Sequence, residues 1–267
     1  FFFKQKTAYE IPKRDWSSDV CSSDLSGLLR LARQVRQEHF GAAIDFHGFR
    51  ETALIARCSG AEKRLGLRRF DQSYWGWCFN LPPVPEDKGL HVSEMFRTVA
   101  DTFAPGKGPE ADLEAPLAIP SNEREWVEQN VVSGPYVVLY LDAPVPDRRW
   151  PRDRFESVAK HLAAKYGVKT VMVSAETGLS IPQLVAVIGS AMMLISNDTG
   201  PMHLGPALGV PTVALFSVGI PRHFMPTGVH DQYLQGNPIE KITVEEVTEV
   251  VDSVWSSAIG GSGEVRR

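Results

Sequence analysis

Leu28, Leu29, Leu31, Ala32 and Val35 recur at helical spacing, with Arg30, Arg33, Arg36 and Glu38 between them, which predicts an amphipathic helix over 26–39. Residues 42–48 (AAIDFHG) then read as a short strand ending in a polar turn, 50–60 (RETALIARCSG) as a helix stopped by Gly60, and 63–67 (KRLGL) as a second strand. Residues 68–92, with Tyr74, Trp75, Trp77, Phe79 and the PPVP run 82–85, read as a long loop, and 91–104 as a helix. This αβαβ order predicts a parallel sheet.

The stretch 109–120 (PEADLEAPLAIP) is extended and proline-punctuated, as an interdomain linker is. Beyond it the alternation is cleaner. A helix over 122–131 is expected with Ser121 as its cap, then a continuously apolar strand 136–143 (YVVLYLDA) and a helix 151–165 opened by Pro151. A strand 169–175, helix 180–190, strand 192–196, helix 201–208 and strand 211–217 follow. A helix 243–256 is capped by Thr243, with Glu246 three residues on. All-apolar strands are those covered on both faces. The pattern thus predicts an α/β chain of two parallel-sheet domains, 26–120 and 121–258, with 259–267 as a tail.

Composition narrows the function classes. At 267 residues and 43% hydrophobic the chain suits one large or two medium domains, and a net charge of −4 supplies no basic field for nucleic acid. Cys21, Cys58 and Cys78 are too few and scattered for a disulfide framework or a zinc site, so no metal and a reducing cytosol are expected. No apolar run approaches the roughly 20 residues that span a bilayer. Residues 1–25 carry no apolar period and resemble a translated sequencing adapter, with KQKTAYEI and DWSSDVCSSDL as its constant segments. They lack the apolar core of a signal peptide and are set apart as non-native, which places the natural N-terminus upstream of Ser26.

The chemistry concentrates in 196–217 (SNDTGPMHLGPALGVPTVALFS), where a polar turn separates two apolar segments. In an open parallel sheet, ligands bind where strands end and helices begin. Asp198 or Thr199 can cap the next helix, Gly200 lets a ligand approach the backbone, and Pro201 suits the first helical position. The free N–H groups of that helix favour an anion, and His203 can add a hydrogen bond or a charge. The alternative is a capped βα connection holding a satisfied histidine.

The same stretch resembles the signature of glycosyltransferase family 9, the ADP-heptose:lipopolysaccharide heptosyltransferases. Residues 148–155 (RRWPRDRF) resemble that family's K-R-W-P-x-x-R-F block, 42–67 its D-x-Q-G-x-x-x-S/T-A segment, and 91–103 its H-x-V-E-R-Y helix. The resemblance implies a GT-B-like fold of two Rossmann-type domains, the N-terminal one incomplete here, with acceptor on the N-terminal domain and nucleotide-sugar on the C-terminal one. It implies donor contacts at Asp198, Thr199, Gly200, Met202, His203, Arg148 and Arg149, with Arg148 stabilising the departing diphosphate. No cofactor is implied beyond ADP-heptose as donor substrate. The acceptor is a lipopolysaccharide core sugar, reached in the cytoplasm with room for peripheral contact at the inner membrane. Arg148 and Arg149 could otherwise be a solvated approach to a helix, and Trp150 reads as packing.

Several features depart from the family. Its general base is an aspartate in an early G-D-x-x-x motif, absent here, so the catalytic base is unassigned. Asp45 and His47 either line the acceptor side or hold their turn. The family's HPGA reads Tyr140-Leu141-Asp142-Ala143, setting an acid where phosphates are expected, and FGPTDP reads Phe216-Ser217-Val218-Gly219-Ile220-Pro221. Between Ala175 and Leu179 a helix and a strand are missing, by natural shortening or by a sequence defect. The basic, aromatic stretch 63–79 either meets lipid headgroups or acceptor phosphates, or is a surface loop. A non-catalytic nucleotide-sugar-binding relic and a sugar-nucleotide epimerase remain alternatives. A dinucleotide oxidoreductase is disfavoured because no GxGxxG follows a strand.

Overall fold

The computed structural model describes residues 2–3, 25–70, 72–103 and 117–259. Of the segment set apart as non-native, only 2–3 and 25 fall within that range. The chain divides into two compact units, between Ala111 and Asp112. This lies ahead of the 120/121 boundary expected from the linker. The reason is local: Leu117 N–H donates to Ala207 O, and Ile119 packs against the core of the second unit.

In the first unit, β1 (Phe2–Phe3) pairs antiparallel with β2 (Ala42–Asp45), and β2, β3 (Lys63–Arg68) and β4 (Val84–Pro85) run parallel. Helices α1 (Leu25–Gln37), α2 (Arg50–Cys58) and α3 (Val92–Phe103) complete it. Alternate strand residues face opposite ways. Ala43 meets Ala53 and Ala56 of α2, whereas Ile44, Leu65 and Leu67 meet Met95 and Val99 of α3. Gly66 is required on the α2 side, because a Cβ there would lie 2.6 Å from the Phe79 ring. β4 interrupts the expected 68–92 loop; two residues are too short to show a period.

The second unit is a five-stranded sheet in the order β6-β5-β7-β8-β9, all parallel. Its strands are β5 (Tyr136–Tyr140), β6 (Lys169–Val173), β7 (Met193–Asn197), β8 (Thr212–Phe216) and β9 (Gln232–Gln235). Its helices are α4 (Ser121–Asn130), α5 (Arg152–Tyr166), α6 (Ile181–Gly189), α7 (Leu204–Ala207), α8 (Pro221–Phe224) and α9 (Val244–Val254). Val137, Leu139, Met193, Ile195, Val213 and Leu215 face α5 and α9. Val138 and Leu194 face α4 and α6 on the other side. Every inner strand is therefore covered twice, which is why it reads as an unbroken apolar run.

Three helix starts refine the sequence reading. Ser121 does not cap α4: the N-cap is Pro120, and the serine is already helical. Ser180 closes an unforeseen capping box with Gln183 on α6, and Thr243 closes the expected one with Glu246 on α9. The expected helix 201–208 is instead a 3-10 turn, Gly200–His203, followed by the single turn α7. Gly205 and Pro206 fall within that segment, and a proline has no N–H for the next helical bond.

Helices α5 and α9 are joined by Asp252, which accepts hydrogen bonds from His161 Nε2 (2.8 Å), Lys165 Nζ (2.6 Å) and Tyr166 Oη (2.8 Å). Burial pushes this carboxyl up, but the three donors outweigh it and hold it below the usual range. A depressed carboxylate stabilises the fold above its unfolded value, near ~4, and the gain disappears as pH falls through the folded value. Between pH 6 and 3, wild-type melting temperature should therefore fall more steeply than that of Asp252→Asn. Parallel curves would contradict the assignment.

Candidate active site

The second sheet reverses its direction of growth at β5. The chain leaves β5 for β6 on one side, then crosses by α6 to β7 on the other. Ligands in such sheets sit beyond the carboxyl ends of the strands at this reversal. Here those ends are 141–150 after β5 and 197–203 after β7. No strand intervenes between β6 and α6. A 3-10 turn, Ala175–Thr177, bridges them, and Gly178, in left-handed backbone (φ 63°), ends it.

Arg148 closes a 3-10 turn, Pro146–Arg148, in the β5 loop. Its Nη1 lies 3.2 Å from Asp198 Oδ2, and the Asp198 side chain is only 8% exposed against 35% for the arginine. Burial raises the Asp198 carboxyl above its usual value, opposed by the positive charge of Arg148 and then of His203. Arg148 Nε is buried and has no hydrogen-bond partner among the described residues, and the same is true of Ser217 Oγ at the end of β8. A buried donor left unbonded costs about 1–3 kcal/mol, so these atoms mark where an acceptor group would be welcome. Gly219 is required beside them: a Cβ there would stand 2.7 Å from Asp198 Oδ2.

The other expected donor residues are placed as follows. Thr199 is half-buried and its side chain caps nothing; Gly200 is exposed, with open space where a side chain would be. His203 is exposed near Asp198. Arg149 is exposed, with Nε donating to Ala143 O at 2.8 Å. Met202 is fully buried against Ala214 and Phe216, so its side chain belongs to the core rather than to a ligand. Two of the amides expected to be free at the start of this segment are taken. The amide of Met202 donates to Thr199 O, that of Leu204 to Pro201 O, and Pro201 has none. A side-chain cation, Arg148, also faces this end.

Asp142 proves to be a closure. Its Oδ2 accepts from the Ala175 N–H and ties the 3-10 turn after β6 to the end of β5. Asp45, in the first unit, holds its own turn: Oδ1 accepts from the His47 and Gly48 amides, and Oδ2 from Thr52 Oγ1. His47 is exposed and stacks on Phe49. Trp150 is 2% exposed, donates from Nε1 to Ile242 O, and packs edge-on to Phe155. In the basic, aromatic stretch, Arg64 is bound to Cys78 O and Ala61 O, while Trp77 is 63% exposed and stacks on Trp75. Among the described residues, no group of three His, Cys, Asp or Glu could hold a metal, and no helix is long and apolar enough to cross a membrane.

The family model for glycosyltransferase family 9 (heptosyltransferase) matches residues 28–180 and 165–250. The chain belongs to this family. As a family-9 glycosyltransferase it is an enzyme of the heptosyltransferase kind, and its solved relatives share its fold. A glycosyltransferase family 9 protein from Veillonella parvula aligns with TM-score 0.69 at 20% identity, over 86% of this chain and 78% of that one. The ADP-heptose lps heptosyltransferase II of E. coli gives 0.64 at 21% identity, over 85% and 80%. The E. coli heptosyltransferase WaaC with ADP gives 0.62 at 17% identity, over 86% and 77%. No curated protein matches the chain significantly. The parallel strands of both sheets agree with the GT-B-like architecture expected from the sequence.

Proposed function

We propose that this glycosyltransferase moves a heptose from ADP-heptose to a lipopolysaccharide inner-core sugar. The observation that carries the reading is Arg148, held 3.2 Å from buried Asp198 with its Nε buried and unbonded at the switch point of the sheet. An arginine fork suits a diphosphate, whose charge grows as the sugar leaves, and needs no metal to balance it. Thr199, Gly200 and His203 line the same end and serve the sugar-diphosphate; Arg149 adds charge from solvent. The solved E. coli relative with ADP supports a donor of this class. Asp45 and His47 belong to the acceptor side, where Asp45 shapes the turn and the base remains unassigned. The acceptor sets the place of work, the cytoplasmic face of the inner membrane, with peripheral contact there.

The test is ADP release by the full chain given ADP-heptose and a heptose-deficient lipopolysaccharide core. Release that depends on both substrates is expected. Binding of ADP with no acceptor-dependent release would leave a donor site without transfer and refute the reaction. Turnover of a different sugar nucleotide in preference to ADP-heptose would refute the donor.

A further inference from the structure

Asn197 ends β7, is fully buried, and bonds through both ends of its amide to residues far away in sequence. Its Nδ2 donates to Leu141 O at 2.7 Å, and its Oδ1 accepts from Trp150 N–H at 3.0 Å. Leu141 begins the loop that leaves β5, and Trp150 ends it. One side chain therefore clasps both ends of the loop that carries Arg148. Within the clasp, Arg149 N–H closes the turn onto Pro146 O at 2.8 Å, and the Arg149 side chain ties back to Ala143 O. The next residue after Asn197 is Asp198, which holds the guanidinium itself.

We infer that Asn197 is a positioning residue of the donor site, fixing Arg148 for the diphosphate by clasping its loop at Leu141 and Trp150. The inference rests on the donor reading above. A neutral carboxamide is the side chain of this size that offers a donor and an acceptor together; an apolar residue would leave both Leu141 O and Trp150 N–H buried and unbonded. Rigid placement matters because a fixed cation need not reorganise when charge develops.

The test compares the full wild-type chain with Asn197→Asp and Asn197→Ala. A protonated aspartic acid can repeat both bonds, donating to Leu141 O and accepting from Trp150 N–H. The ionised form cannot donate and sets a negative charge against a carbonyl. Charged groups on the elements that Asn197 joins include Asp142, Arg148, Asp198 and His203. All four are present in all three proteins, and Asp198, whose titration the clasp itself sets through Arg148, is followed separately. ADP affinity, measured calorimetrically from pH 5 to 8, should drop about tenfold or more in Asn197→Ala at every pH. In Asn197→Asp it should approach wild type at the acid end and fall toward the Asn197→Ala level as pH rises.

The second readout needs no nucleotide: the carboxyl-carbon NMR titration of Asp198. Arg148 favours the charged form of Asp198, so loss of the clasp should move this titration to higher pH. The expected order is Asn197→Ala highest, wild type lowest. Asn197→Asp affinity that parallels wild type across the range would overturn the inference. So would an Asp198 titration unmoved in Asn197→Ala. If Asn197→Ala does not fold, the ADP affinity of Asn197→Asp, at low against high pH, decides. If the wild-type chain binds no ADP, the donor reading fails on that result alone, and the Asp198 titration still decides whether Asn197 places Arg148.

Discussion

Arg148→Ala should weaken ADP binding by about 1.5–3 kcal/mol, roughly tenfold to a hundredfold, and lower kcat/KM for transfer by about 10²–10³. Two effects combine. The diphosphate loses a charge-assisted fork, and the loss is larger in the transition state, where the leaving group carries more charge. Asp198 also loses the cation nearest its carboxylate, at 3.2 Å, so its already raised pKa should climb further. Arg148→Lys should recover most of the binding, since a lysine stands here in the family block that 148–155 resembles, but not the bidentate geometry. Calorimetry with ADP and steady-state rates check both variants. Wild-type affinity in Arg148→Ala would remove the arginine from the donor site.

Trp150→Ala should cost about 3–5 kcal/mol of stability, a large share of the ~5–15 kcal/mol that holds a typical domain folded. Trp150 is fully buried between β5, α5 and α9, and its ring meets Phe155 at a centroid distance of 5.0 Å. Trp150→Phe should cost far less. It loses the bond from Nε1 to Ile242 O, but that carbonyl keeps a donor in Arg154 Nη1 at 2.7 Å. Urea denaturation of the full chain, followed through the second unit, distinguishes the two. Equal losses would mean that the hydrogen bond, and not the packed ring, carries the stability. Because Trp150 anchors the far end of the Arg148 loop, Trp150→Ala should also weaken ADP binding at temperatures where it remains folded.

The fold was legible where burial wrote itself into the pattern. β5, β7 and β8 are covered on both faces, and their apolar runs announced them. Thr243 and Glu246 announced the start of α9 by spacing alone. β9 was not legible: it is an edge strand paired only with β8, and its residues Gln232, Tyr233 and Gln235 are exposed, so no burial imposed a pattern. The 201–208 segment looked helical because Asp198 or Thr199 could cap it and Pro201 suits a first helical position, yet Gly205 and Pro206 interrupt it after a single turn. Gly205 is there for packing, since a Cβ would collide with Thr212 Oγ1.

The candidate site divides along the same line. Asp198, Gly200 and Arg148 were readable because they stand in motifs. The Arg148–Asp198 ion pair was not, because it joins two loops that only the parallel pairing of β5 with β7 brings together. Asn197 falls just past the expected strand 192–196, and nothing in the sequence marks its role, since its partners lie 47 and 56 residues away. Asp142 read as an obstacle to phosphate. Its bond to the Ala175 amide, invisible in sequence, makes it the residue that closes the shortened connection between β6 and α6.

The central claim is that Arg148 meets the donor diphosphate, and its buried Nε–H reports on this directly. In ¹H–¹⁵N spectra of the full chain, that resonance should shift as ADP saturates the site and stay in place with adenosine, which carries no phosphate. ADP that binds to saturation while the Arg148 Nε–H resonance does not move would place the diphosphate elsewhere and contradict the account.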